Sequence, residues 1–270
     1  MQQFARLKFT SYGLSAPQDW SLPSGVSEDH YRRAFKPEEL ATAILAPALV
    51  GAATANKYHT DTQKMLVDKI GAYLDGVTAA ICSAWGQWQS TATLVGVMVN
   101  AVTASGGSIV GPPLGPLIRA SAPQATPQEA KYSGAIADAI GMGWLSFTAT
   151  VKVPGLPWYP PFAAFPGPLA PPVPNVPAPF VALTQVRAPI AAAALAGAME
   201  GNLGDPAAPY HAQIFGAVAD AFEKVFDMWA PSCMVTNVLG SGPVPTFAPP
   251  VVPAGPVVGG IANMAPGGFA

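Results

Sequence analysis

The sequence predicts a mainly α-helical protein with short β or extended Pro- and Gly-rich tracts, an irregular α+β class organised as a degenerate three-fold repeat of helix plus uncharged tract. Three observations carry this expectation. Charge is unevenly spread: 16 of the 28 charged residues lie at or before Asp75, and none occurs in 76–118, 153–186 or 228–270. Each charge-free tract follows a helix-like segment of shared form, GAYLDGV at 71–77, GAIADAI at 134–140 and GAVADAF at 216–222. Finally, 31 prolines and 27 glycines sit among strongly apolar residues, a mixture that reads as irregular ordered chain more than as low-complexity disorder.

Taken in order, residues 1–36 form an N-terminal arm with a short strand expected at 7–10. The first unit spans 37–118. It opens at Lys36-Pro37-Glu38-Glu39, with acids in the first helical turn, and continues as an Ala-rich helix at 38–57 kinked at Pro47. A second helix at 60–88 carries Met65, Ile70, Tyr73, Leu74, Val77 and Ile81 at spacings that approximate one helical face. Trp85 and Trp88 follow, then strand-like apolar stretches.

The second unit, 119–186, predicts a helix at 127–142, then Trp144, Phe147 and a strand-like stretch at 148–153. From 153 to 179 proline is so frequent that central strands are excluded, and extended chain lying over a helical surface is expected. The third unit, 187–270, predicts helices at 189–199 and 209–228, Trp229, and an uncharged C-terminal arm at 243–270.

Chemistry is hard to find in these residues. A net charge of −2 without a Lys or Arg run lacks the electrostatic footprint of phosphate binding, so nucleic acid is not an expected direct partner. No uninterrupted apolar run reaches the roughly 20 residues of a membrane span, and the N-terminus lacks the apolar core of a cleaved signal. His30, His59 and His211 stand far apart with no second ligand at metal spacing. The Gly106-Gly107 and Gly240-Ser241-Gly242 stretches lack the lysine and helix of a phosphate loop, and no G-x-S-x-G occurs. No catalytic residue, metal, cofactor or small-molecule substrate is therefore expected. Cys82 and Cys233 read as buried thiols, and Asp75, Asp138 and Asp220, with Gly71, Gly134 and Gly216 of the same motif, read as the solvated edges of their helices.

What remains is surface. Only 10% of residues are charged, against about 25% in an ordinary globular chain, so the uncharged tracts need a cover. The expected cover is other copies of the chain or other structural subunits. The expected anchors are Trp158, Phe162 and Phe165 in the Pro-rich run, and Phe247, Val251, Val257, Ile261 and Phe269 in the arm, which is expected to pack on a neighbouring subunit.

The uncharged, Gly- and Pro-punctuated stretches VTNVLGSGPV at 235–244 and GSIVGPP at 107–113 resemble those of structural proteins of phage virions or contractile injection particles. The resemblance is one of style over about the last two thirds of the chain and points to no single family. It implies a subunit ordered by a large particle, made without a signal peptide and localised in that particle. A subunit of another cellular or extracellular assembly and a membrane-associated or pore-like protein are the alternatives.

Overall fold

A computed structural model describes residues 1–13 and 52–270, with side chains described for 1–13 and 64–270. The expected helix start at Lys36, the kink at Pro47 and His30 lie outside the described residues. Met1–Phe9 and Tyr73–Ala270 form one compact unit and Thr10–Ala72 another.

Helix α1 (Gln2–Ser11) stands where a short strand was expected at 7–10. Ala5 and Phe9, one helical turn apart, are its buried residues, and that spacing belongs to a helical face. Helix α2 (Ala52–Thr91) runs unbroken through 58–59, where two helices were expected to meet. It contains no proline, and single glycines do not break a helix whose face is buried. That face is Leu74, Val77, Ile81, Ala84 and Trp88, spaced by alternate threes and fours.

Strands β1 (Thr93–Asn100) and β2 (Thr103–Val110) form a hairpin bent at Gly96, Gly106 and Gly107, all at positive φ. Helix α3 (Leu114–Ser121) follows, a helix not anticipated within the first uncharged tract. Helix α4 (Pro127–Thr150) opens on a complete capping box between Thr126 and Glu129 with Pro127 in the first turn. It continues past the expected end at 142, so Trp144 and Phe147 sit on the helix itself.

The Pro-rich run supplies β3 (Val153–Leu156), a 3₁₀ turn at Pro160–Ala163, β4 (Leu169–Pro174) and β5 (Ala178–Pro179). Helix α5 (Ala192–Leu203) ends on left-handed Gly204, and α6 (His211–Ser232) leads into β6 (Met234–Val235), β7 (Val238–Pro243) and β8 (Gly260–Met264).

The strands make an antiparallel six-stranded sheet of order β3-β2-β1-β8-β7-β4, with β5 and β6 paired separately, so the fold is α+β. All six strands come from the three charge-free tracts. The exclusion of central strands from the Pro-rich run agrees with this order, since its two strands in the large sheet are the two edges, where a missing ladder donor is tolerated. The run differs from expectation in forming strands at all, and in covering the sheet. Tyr159 lies over Gly240, donates its hydroxyl proton to the Val238 carbonyl at 2.8 Å, and stacks on Phe162 at 5.1 Å.

The C-terminal arm also differs from expectation. Its β8 is central, between β1 and β7, with Ala262 and Met264 buried, because the ladder donors of two neighbouring strands need it. The three G-A-x-x-D segments all fall on helices, α2, α4 and α6, but the strands that follow them share no common order.

Those same helices meet through tryptophan. Trp144 of α4 lies 4.8 Å from both Trp85 and Trp88 of α2, and Trp229 of α6 lies 5.3 Å from Trp85. Phe269 stacks on Trp88 at 5.6 Å and joins the chain's last residues to the cluster. Trp88→Ala removes a fully buried ring at this junction and is expected to cost about 3–5 kcal/mol of unfolding free energy in urea titration. A loss below about 1 kcal/mol would show that the cluster does not hold the helices together.

Candidate interaction surface

Pleating puts alternate residues of a strand on opposite faces, and in this sheet the two faces differ sharply. Val97 and Val99 of β1, Ala262 and Met264 of β8, and Val238 of β7 are buried on the inner side. Gly240, Gly242 and Gly260 admit close packing there: a Cβ on Gly240 would fall 2.6 Å from the Tyr159 ring, and one on Gly242 would fall 2.5 Å from the Gly260 Cα.

The outer side is open. Met98 pairs directly with Ile261, and they are 57% and 58% exposed. Met98 also pairs with Ser105 of β2 and Ile261 with Ser241 of β7, so one row across four strands reads Ser105, Met98, Ile261, Ser241. In the row on one side Leu239 pairs with Asn263 and with Pro174, and in the row on the other side Leu169, opposite Pro243, is 64% exposed. No strand of the sheet carries a charged residue. The two outward asparagines are tied to backbone: Asn263 Oδ1 accepts from Gly96 N and Asn100 Oδ1 from Gly259 N, each at 2.9 Å. Lys152, just before β3, donates to the Gly107 carbonyl at 2.8 Å and to Ser108 Oγ at 3.0 Å.

The edges of this sheet are closed to further strands. Pro154 interrupts β3, and Pro171, Pro172 and Pro174 interrupt β4, so neither offers an unbroken row of donors.

The eight expected interface residues divide. Trp158, Phe162, Val257 and Phe269 are buried within this chain, where they cover the sheet and complete the aromatic cluster, so they are core here and not exposed anchors. Phe165 and Phe247 are half-buried. Val251, 84% exposed, and Ile261 keep the exposure an interface residue needs. Sequence reasoning missed Met98, Leu169 and Leu239. The period-two order Val97-Met98-Val99-Asn100, two buried residues alternating with two exposed ones, is the signal that finds the outer face.

The repeat aspartates each meet a cation: Asp75 with Arg6 at 2.5 Å, Asp138 with Arg119 at 2.5 Å and Asp220 with Lys224 at 2.7 Å. The Arg6 guanidinium hydrogen-bonds Asp75 and holds its carboxyl below the usual carboxylate range. The Asp75 and Asp138 pairs lie at solvated helix edges, where each adds less than about 1 kcal/mol, while Asp220 is more covered, its side chain 21% exposed. Gly71 of the same motif is buried, while Gly134 and Gly216 are partly exposed.

Burial sets three groups away from the helix edges against ionising. Burial raises the Tyr73 and Tyr159 phenols above their ordinary value and pushes the Cys233 thiol up to about 12. His211 Nδ1 lies 2.7 Å from the Ala208 carbonyl, and among the described residues no three His, Cys, Asp or Glu side chains are grouped to hold a metal ion. A cleft of about 300 Å³ between β2 and α4 is lined by Trp88, Val110, Pro113, Trp144, Leu145 and Thr148. Its only hydroxyl, on Thr148, already donates to the Trp144 carbonyl at 3.0 Å. The cleft offers apolar contact.

No family model, no curated protein and no solved structure matches this chain.

Cys82 and Cys233 are both free, but Cys82 is exposed where a buried thiol was expected. A maleimide reagent at pH 7 is therefore expected to label one thiol, Cys82, in the folded protein and both in denaturant. Rapid labelling of Cys233 under native conditions would contradict the packing at the end of α6.

Proposed function

We propose that this chain is a non-enzymatic structural subunit of a large protein particle, acting through contacts between subunits, and that the particle is of the phage virion or injection-apparatus kind. The observation that carries the reading is the convergence of three charge-free tracts into one sheet whose outer face presents Met98, Ile261, Leu169 and Leu239 to solvent. A monomer in water normally interrupts such a face with charge to prevent association. Among the described residues charge lies off the strands of the sheet, and six of these side chains form ion pairs on the helices.

The style of the uncharged stretches supports the particle type. The three-fold repeat is part of the same proposal: the G-A-x-x-D segments, each on a helix with its aspartate paired to a cation, are read as degenerate copies of one helical unit. Among the described residues no helix is long and apolar enough to cross a membrane, so nothing in the helices favours the membrane-associated alternative.

Sedimentation velocity of the full chain in detergent-free buffer, over a hundredfold range of concentration, tests the reading. A discrete oligomer that grows with concentration is expected. A monomer at every concentration contradicts it, and a chain kept in solution only by detergent transfers support to the membrane alternative.

A further inference from the structure

An assembly subunit needs a surface that joins it to something, and the sheet is specific about what that is. Building on the assembly reading, we propose that the outer sheet face packs against the same face of a second copy of this chain, the two sheets related by a two-fold axis.

The central row is the first argument. Ser105, Met98, Ile261 and Ser241 run across β2, β1, β8 and β7 as small polar, large apolar, large apolar, small polar. The order reads the same in both directions. A two-fold axis parallel to the strands sets Met98 over Ile261 of the other copy and serine over serine. An axis perpendicular to them sets like over like. In either case apolar side chains meet apolar side chains, the self-complementarity that a two-fold interface demands.

Charge and area agree. The strands bring no charged residue to the contact, so none of their side chains is an ion to be stripped of water, and none selects a foreign partner by charge. Six strands about 4.8 Å apart and about six residues long, at about 3.3 Å per residue, give a face on the order of 600 Å² before its relief is counted. Two such faces together pass the roughly 1,000 Å² that a specific interface requires. The proline-bearing edges direct association to this face, because they deny a second copy the option of extending the sheet sideways. Sheets stacked about 10 Å apart in this way form a sandwich, which Met98 and Ile261 are long enough to fill from both sides.

The test is sedimentation equilibrium on the full chain, comparing wild type with Ile261→Lys, Met98→Lys and, as a control on α4 outside the sheet, Met142→Lys. Met142 is 65% exposed, so the control is matched in exposure. A two-fold contact places each new charge in the interface twice. Ile261→Lys and Met98→Lys are each expected to raise the dimer dissociation constant at least tenfold with unchanged circular dichroism, and Met142→Lys to leave it within twofold of wild type. Because Met98 and Ile261 lie on different strands, one variant carries the test if the other misfolds. A wild-type oligomer left unaffected by both face variants overturns this interface while the assembly reading stands. A wild type that stays monomeric throughout overturns both.

Discussion

The aromatic junction between α2, α4 and α6 is the contact on which the sheet depends. Trp85, Trp88, Trp144 and Trp229 bring three helices to one point, and Phe226 packs among them 5.1 Å from Phe147. Each ring pair adds about 0.5–1.5 kcal/mol beyond the area it buries. Among the described residues the buried Trp85 and Trp144 indole N–H groups meet no hydrogen-bond acceptor, so burial and ring contact carry the packing there. Trp229 escapes it by donating to Gln89 Oε1 at 3.2 Å, while Gln89 Nε2 donates to the Phe269 carbonyl at 3.0 Å.

That second bond ties the helices to the sheet. Phe269 stacks on Trp88, and Ala270 exchanges backbone hydrogen bonds with Met234 at 2.7 and 3.0 Å, so the chain's last residues are pinned to the end of α6. Five residues earlier the same segment is β8, the strand that joins the β1–β2 hairpin to β7 and β4. The inner face is then sealed by Tyr159 over Gly240 and by Val257 over Gly242 and Gly260, which leaves the outer face as the sheet's free side. Among the described residues, charge lies on helices and loops and is kept off the strands of the sheet.

Several of these elements were legible in the sequence for physical reasons. The helices α4, α5 and α6 are legible from the prolines that open their expected spans, Pro127, Pro189 and Pro209, of which Pro127 stands in a first turn, and the prolines of 153–179 keep that run to the edges of the large sheet. The C-terminal arm was misread because its 28 uncharged residues look alike to composition, which does not distinguish the buried Val257 and Ala262 from the exposed Val258 and Ile261. That distinction lives in strand register, which is set by pairing, Ile261 with Ser241 on one side and with Met98, more than 150 positions away, on the other. The end of α4 lies beyond the expected 142 for a similar reason: Gly141 admits close approach of Gly115 on α3, and the helix continues on the burial of Trp144 and Phe147. The candidate face was half legible, through Ile261 and the absence of charge, while Met98 became visible as its neighbour only once the strand order was known.

The central claim is that protein, not water, covers the outer face of the sheet when the chain is assembled. Methionine oxidation footprinting reads this directly, since Met98 lies on that face and Met142 lies on α4, with similar exposure of 57% and 65%. At concentrations where the chain is assembled, Met98 should oxidise at least tenfold more slowly than in dilute solution, while Met142 keeps its rate. An unchanged Met98 rate in the assembled protein would contradict the account.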